Sequence, residues 1–265
     1  MNRRNLEANP LLEQFSQYLL KIDDALKREL DLYSWSEFYA PLRYACEGGK
    51  RIRPLILVLS AESVMAPKAD LLRIDEENLR RGKPSFHVKY GYNSSILTAD
   101  FVLGVILSIG SKLNNSRVAS ELSNAAIKMS EGEIMEIKLA EALKIGEDDY
   151  IKVLEQKTAS LFEASAKIGA ILGGGEEEEI HAMATFGNFL GIAYQIHDDL
   201  IDWNNEERLF NILVKKNDQS KEFVDRMEKL YLSYSSKAKK ELVKIKDSTQ
   251  KRHLEHLTDL ASVQF

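Results

Sequence analysis

All five prolines of this chain (Pro10, Pro41, Pro54, Pro67 and Pro84) fall in its first third, and none follows Pro84. Proline is the strongest breaker of helices, so the long remainder is free to form one helix after another. The apolar residues there recur with a helical period. Residues 93–113 carry Ile96, Leu97, Phe101, Leu103, Val105, Ile106, Leu107 and Ile109. Stretches 117–143, 149–172, 180–203 and 220–246 repeat the pattern, and no run shows β-branched alternation. Gly173-Gly174-Gly175 reads as a helix stop. Glu176 to Glu179 then fall in the first turn of the next helix, where the dipole favours negative charge. For that acidic run, capping is preferred to metal binding. No repeat, linker or low-complexity segment interrupts the chain. The expectation is a single all-α domain over 1–265, with a charged amphipathic outer layer from about 220 onward.

The helix predicted over 180–203 ends in an unusual run, Tyr194-Gln195-Ile196-His197-Asp198-Asp199-Leu200-Ile201-Asp202. Asp198 and Asp202, four residues apart, share one helix face and repel each other. A hard divalent cation such as Mg²⁺ would compensate them, taking one or two carboxylates together with substrate phosphates. A solvated acidic helix end is the bland alternative. It is weakened by the apolar flanks Phe189, Leu190, Ile192, Ala193 and Trp203. His197 lies on a different face from Asp198 and is given a structural role.

Composition narrows the partners. A net charge of -5 argues against a general nucleic-acid binder. The lone Cys46 excludes an intramolecular disulfide and a thiolate zinc site, and points to a reducing, cytoplasmic setting. No apolar run reaches the ~18 residues of a membrane span, so none is expected. The first residues do not form an apolar signal core.

Three cationic segments accompany the acidic one. Gly48-Gly49-Lys50-Arg51-Ile52-Arg53-Pro54 places three cations at a helix start, where free N–H groups also attract anions. A shared diphosphate explains that crowding better than a solvated basic turn. Arg80-Arg81-Gly82-Lys83-Pro84 offers paired guanidinium groups for phosphate, although the preceding Asp75-Glu76-Glu77 makes a local ion-pair turn a fair competitor. Lys157-Thr158 sits inside an apolar helix, where a lysine can simply snorkel to the surface.

Taken in order, these segments resemble the trans-isoprenyl diphosphate (polyprenyl) synthases over roughly residues 40–245. Gly48–Pro54 looks like the family's isopentenyl-diphosphate motif, and Arg80-Arg81 like the arginine pair after its first aspartate-rich motif. His87–Gly91 through Asp100, and Glu131-Gly132-Glu133, resemble the next two stretches. Lys157-Thr158 matches the KT pair. Gln195 with Asp198-Asp199-x-x-Asp202 matches the second aspartate-rich motif.

The resemblance implies a helical bundle around a deep central cavity, usually as a homodimer. It also implies Mg²⁺-assisted head-to-tail prenyl transfer. By carry-over, Lys50, Arg53 and Arg81 would hold isopentenyl diphosphate, and Arg80 and Lys157 the allylic diphosphate. Asp198 and Asp202 would bind metal. Thr158 and Gln195 would lie near the developing allylic cation. Cations and metal would neutralise the departing diphosphate, while apolar walls keep water from the cation.

The chain departs from the family in two places. The leading aspartate pair of the first motif is absent, with its helix's histidine; only Asp75 stands where the motif's last aspartate, a third metal ligand, belongs. The stretch from Arg51 to Arg80 is shorter by about 20 residues, a whole helix of ~30 Å. The Gly-Lys loop expected after Asp202 is also missing. Two explanations compete. One is that residues are omitted from the chain as written near Arg73–Ile74, which is favoured. The other is a true deletion, which would leave a non-catalytic subunit of a heteromeric synthase. A terpene cyclase or a squalene-type condensing enzyme is a third reading, disfavoured by Gly48–Pro54.

Overall fold

The computed structural model describes residues 14–47, 51–64, 86–142, 145–201, 209–216 and 221–260. Among them every regular element is helical, as the proline-free pattern predicts. The chain divides into two compact units, Met1–Leu55 with Asp70–Ala119, and Ile56–Ala69 with Ser120–Phe265.

The first unit contains α1 (Ser16–Asp31), α2 (Tyr39–Cys46), the opening of α3 (Ile52–Ser63), α4 (Phe86–Tyr90) and α5 (Tyr92–Lys112). Helix α1 buries Leu19, Ile22 and Ala25, a three-residue step that defines one face. The Phe101 ring of α5 stacks on Phe38 at 4.8 Å and meets Tyr33 edge-on at 5.5 Å. Just before α3, Arg51 adopts φ +58°, a left-handed conformation rare for a residue with a side chain. Two hydrogen bonds offset its cost. Arg51 Nε donates to Asp23 of α1 at 2.7 Å, and a terminal N–H donates to the Cys46 carbonyl at 2.6 Å. Arg51 therefore braces this unit. The cationic cluster drawn from the sequence is smaller by that residue.

The second unit continues α3 and adds α6 (Ser116–Ala142, from Ser120 onward), α7 (Glu147–Leu154), a π-helical turn (Glu155–Ala159), α8 (Ser160–Leu172), α9 (Glu177–Ile201), α10 (Leu209–Lys216), α11 (Lys221–Glu241), a 3₁₀ turn (Leu242–Lys244) and α12 (Thr249–Leu260). Helix α9 is its central element, packed mainly on α8 and α11. The close approach has a sequence cause. A Cβ on Gly187 would come within 2.5 Å of the Phe162 carbonyl oxygen, and one on Gly191 within 2.6 Å of Ala159 Cα. Only glycine lets the backbones meet there. Around this contact Tyr150, Val153, Ile192, Ile196, Phe210, Leu213, Phe223 and Met227 form one apolar core.

The predicted stop between α8 and α9 is a Schellman turn. Gly174 has φ +72°, its N–H donates to the Ile171 carbonyl, and the Gly175 N–H donates to the Ala170 carbonyl. The acidic run caps α9, with Glu179 Oε2 accepting from the Glu176 N–H at 2.9 Å.

Candidate active site

Lys157 and Thr158 lie in the π-helical turn at Glu155–Ala159, between α7 and α8. Such single-turn π bulges concentrate at functional sites, because they re-aim side chains that a regular helix would not bring together. Helix α6 presses on this turn through Gly132, where a Cβ would stand 2.5 Å from the Lys157 backbone nitrogen.

The Lys157 ammonium is gripped from α6. It makes a 2.8 Å ion pair with Glu133 and a second, hydrogen-bonded pair with Glu136. Burial by itself lowers the lysine's pKa, but the hydrogen bonds and charges of the two glutamates outweigh it and hold the group above its usual 10.5. Lys157 thus does more than snorkel. An ammonium has three N–H donors, so it can keep both carboxylates and still offer one to an anion.

Beside it runs a chain of hydrogen bonds. The Thr158 hydroxyl donates to Gln195 Oε1 at 3.1 Å. Gln195 Nε2 donates to Asp199 Oδ1 at 3.0 Å, one turn along α9. The Tyr150 hydroxyl, from α7, donates to Asp199 Oδ2 at 2.8 Å. Tyr150 and Asp199 are buried, whereas Thr158 and Gln195 are half-buried. The carboxylate fixes the direction of the chain. It can only accept, so the Gln195 amide must turn its nitrogen to Asp199 and its oxygen to Thr158.

Of the sequence-derived site, the structure joins Thr158 to Gln195 by a hydrogen bond, and Lys157, next to Thr158 in the same π turn, turns its ammonium to α6. Asp198 lies one turn from Gln195 and is half-buried. Arg53 lies in the first turn of α3, also half-buried, in the other unit. Lys50, Asp75, Arg80, Arg81, Asp202 and the Arg73–Ile74 junction lie outside the described residues. Among the described residues no group of three His, Cys, Asp or Glu side chains converges as a metal cage. Sequence reasoning missed Tyr150, Glu136 and the inward role of Asp199. Tyr150 precedes Thr158 by eight residues, and no spacing rule for a regular helix connects it to Asp199.

Comparison with known proteins places this geometry. A sequence model of the polyprenyl synthetase family matches residues 70–212. A geranylgeranyl diphosphate synthase of Methanosarcina mazei is 30% identical over 223 aligned positions, covering 75% of this chain and 69% of the relative. A geranylfarnesyl diphosphate synthase of the same organism is 33% identical, covering 72% of this chain and 70% of the relative. Among solved structures, a geranylgeranyl pyrophosphate synthetase from Pyrococcus horikoshii superposes with a TM-score of 0.83 at 21% identity, over 98% of this chain and 100% of the other. A geranyltranstransferase from Methanosarcina mazei gives 0.74 at 29% identity, over 91% and 94%. The extent of these matches, and the fall of the Lys157-Thr158 pair and the Gln195–Asp199 turn within the matched residues, make this chain a member of the polyprenyl synthetase family of prenyltransferases.

Proposed function

We propose that this chain condenses isopentenyl diphosphate with an allylic diphosphate into a longer linear prenyl diphosphate, with 1–265 acting as one catalytic domain. The observation that carries the reading is the π turn that presents Lys157 and Thr158 side by side, with Thr158 hydrogen-bonded to Gln195 of α9. Ionising an allylic diphosphate needs a cation on the departing group and acceptor oxygens near the electron-poor carbon. Lys157 supplies the first and the Thr158 hydroxyl and Gln195 amide oxygen the second. Arg80 is assigned with Lys157 to the allylic diphosphate, and Lys50, Arg53 and Arg81 to isopentenyl diphosphate. The apolar core behind the site keeps water from the cation.

Mg²⁺ is the proposed cofactor, with Asp198, Asp202 and Asp75 as its protein ligands. The donor set fits a hard ion, because all three proposed ligands are carboxylates, which leave positions for diphosphate oxygens. Asp199 accepts hydrogen bonds from Tyr150 and Gln195, and Asp198 is the carboxylate assigned to the metal. When bound, the ion would neutralise the leaving diphosphate.

A homodimer and a cytoplasmic location complete the proposal. Helix α5 exposes Tyr92, Ile96, Leu103 and Leu107 at steps of four, seven and four residues, a single apolar stripe within the first unit. By length and composition this helix is long and apolar enough to cross a bilayer, an apolar stretch the sequence reading did not register. A second copy of the chain is the proposed cover for its stripe.

The test is conversion of radiolabelled isopentenyl diphosphate by the purified chain, with dimethylallyl, geranyl or farnesyl diphosphate and Mg²⁺. Butanol-extractable product is expected, and Asp198→Ala should lower turnover on the order of a hundredfold. No product from the chain alone, restored by an added synthase subunit, would establish the non-catalytic reading instead. Near-normal turnover by Asp198→Ala would remove the metal assignment.

A further inference from the structure

We infer that Tyr150 is a positioning residue, whose hydroxyl holds in place the Asp199 carboxylate that sets the polarity of the Thr158 hydroxyl through Gln195. The inference rests on the proposed role of Thr158 beside the allylic carbon. Its evidence is the hydrogen-bond chain itself. Tyr150 is 1% exposed and Asp199 5%, so neither can exchange its partner for bulk water. The phenol donates to Asp199 Oδ2 and leaves Oδ1 aimed at Gln195 Nε2. With its nitrogen held there, the Gln195 amide turns its oxygen to the Thr158 hydroxyl, which gives it its proton. A hydroxyl whose proton is committed presents only lone pairs on its remaining side. Such a group can stabilise an electron-poor carbon and cannot donate to the incoming double bond. The polarity needed at the allylic centre is therefore set by Asp199 and held in register by Tyr150, three hydrogen bonds from Thr158 and in the core.

The Tyr150→Phe variant keeps the ring and its packing beside Phe210, at 5.7 Å, and deletes one oxygen. It is to be compared in the full chain with Thr158→Val and with the double variant, using geranyl diphosphate and isopentenyl diphosphate. Loss of one hydrogen bond's worth of orientation predicts a roughly tenfold fall in kcat, with both KM values within about twofold. In the double variant the two effects should not multiply, because Tyr150 acts only through Thr158. If Thr158→Val lowers kcat but Tyr150→Phe does not, or if the two losses multiply in full, the inference falls and the reading of Thr158 stands. If Thr158→Val leaves kcat unchanged, the role of Thr158 falls and takes the inference with it. A measurement on the unaltered protein covers the case in which Tyr150→Phe does not fold. The Gln195 side-chain amide protons should exchange slowly with solvent by NMR, as expected of a donor held on a buried carboxylate. Exchange as fast as that of exposed glutamines would overturn the chain of orientation.

Discussion

Replacing Gly132 with alanine tests whether α6 sets the position of the Lys157-Thr158 turn. The added Cβ would lie 2.5 Å from the Lys157 nitrogen and 2.9 Å from both the Gln156 carbonyl carbon and its Cβ. Two of these three atoms are backbone, so no rotamer change relieves the overlap. Ordinary contact requires the turn to retreat from α6 by about 1 Å. Overpacking of this kind costs about 1–3 kcal/mol, of which the better helix propensity of alanine returns up to about 1. The larger effect is on chemistry, because a misplacement of ~1 Å at reacting groups costs on the order of a hundredfold. The assay is kcat per folded molecule, with melting temperature measured in parallel. Gly169→Ala is the control. Its Cβ would stand 2.3 Å from the Leu57 carbonyl oxygen, an equally severe clash, but at a contact between α8 and α3. It should lose stability and keep the turnover of its folded fraction. The reasoning is refuted if Gly132→Ala turns over normally, or if both variants lose kcat alike.

Three further outcomes follow from named contacts. Lys157 has a folded-state pKa above its unfolded 10.5, so its ion pairs contribute stability in full below that pH and lose it as pH rises through the folded value. The melting-temperature difference between wild type and Lys157→Met should accordingly be constant from neutral pH to about 10 and shrink above 10.5; a difference that shrinks between pH 7 and 9 would count against the pairs. Charging the α5 stripe with Leu103→Glu and Leu107→Glu should convert the proposed dimer to monomer in light scattering; an unchanged mass would place the interface elsewhere. Asp23→Ala leaves the buried Arg51 guanidinium without its carboxylate and should cost on the order of 2 kcal/mol, because Asp23 is itself partly exposed. The Cys46 thiol, buried beside that contact, should then react faster with a thiol reagent.

Helix positions were legible where one periodicity governed a whole element. The patterns over 93–113 and 117–143 correspond to α5 at Tyr92–Lys112 and α6 at Ser116–Ala142. The pattern over 180–203 corresponds to α9 at Glu177–Ile201. The stretch 149–172 reads as one helix because its apolar residues keep a helical rhythm. The π turn inside it is fixed by long-range contact with Gly132 and Gly191, which local spacing does not record. The early helices α1 and α2 lie among the prolines and were not drawn, although Leu19, Ile22 and Ala25 already mark a buried face.

The site was legible at the level of residue types and illegible at the level of roles. Asp198 and Asp199 are adjacent carboxylates of one motif, and sequence alone treats them as near equivalents. Adjacent residues point about 100° apart on a helix, so one environment cannot serve both. On α9, Asp199 falls on the face toward α7 and accepts from Tyr150. Nothing local announces that partner, because Tyr150 and Asp199 are 49 residues apart and meet only when the turn at Gly173–Gly175 has brought the preceding helical stretch against α9. The same argument applies to Arg51, which shares a cationic motif with Lys50 and Arg53 yet spends its charge on Asp23. In both motifs a charged residue that looks available for ligand instead orients or braces its neighbours. Its division of labour is decided by which face of the helix meets protein, a property of the assembled packing.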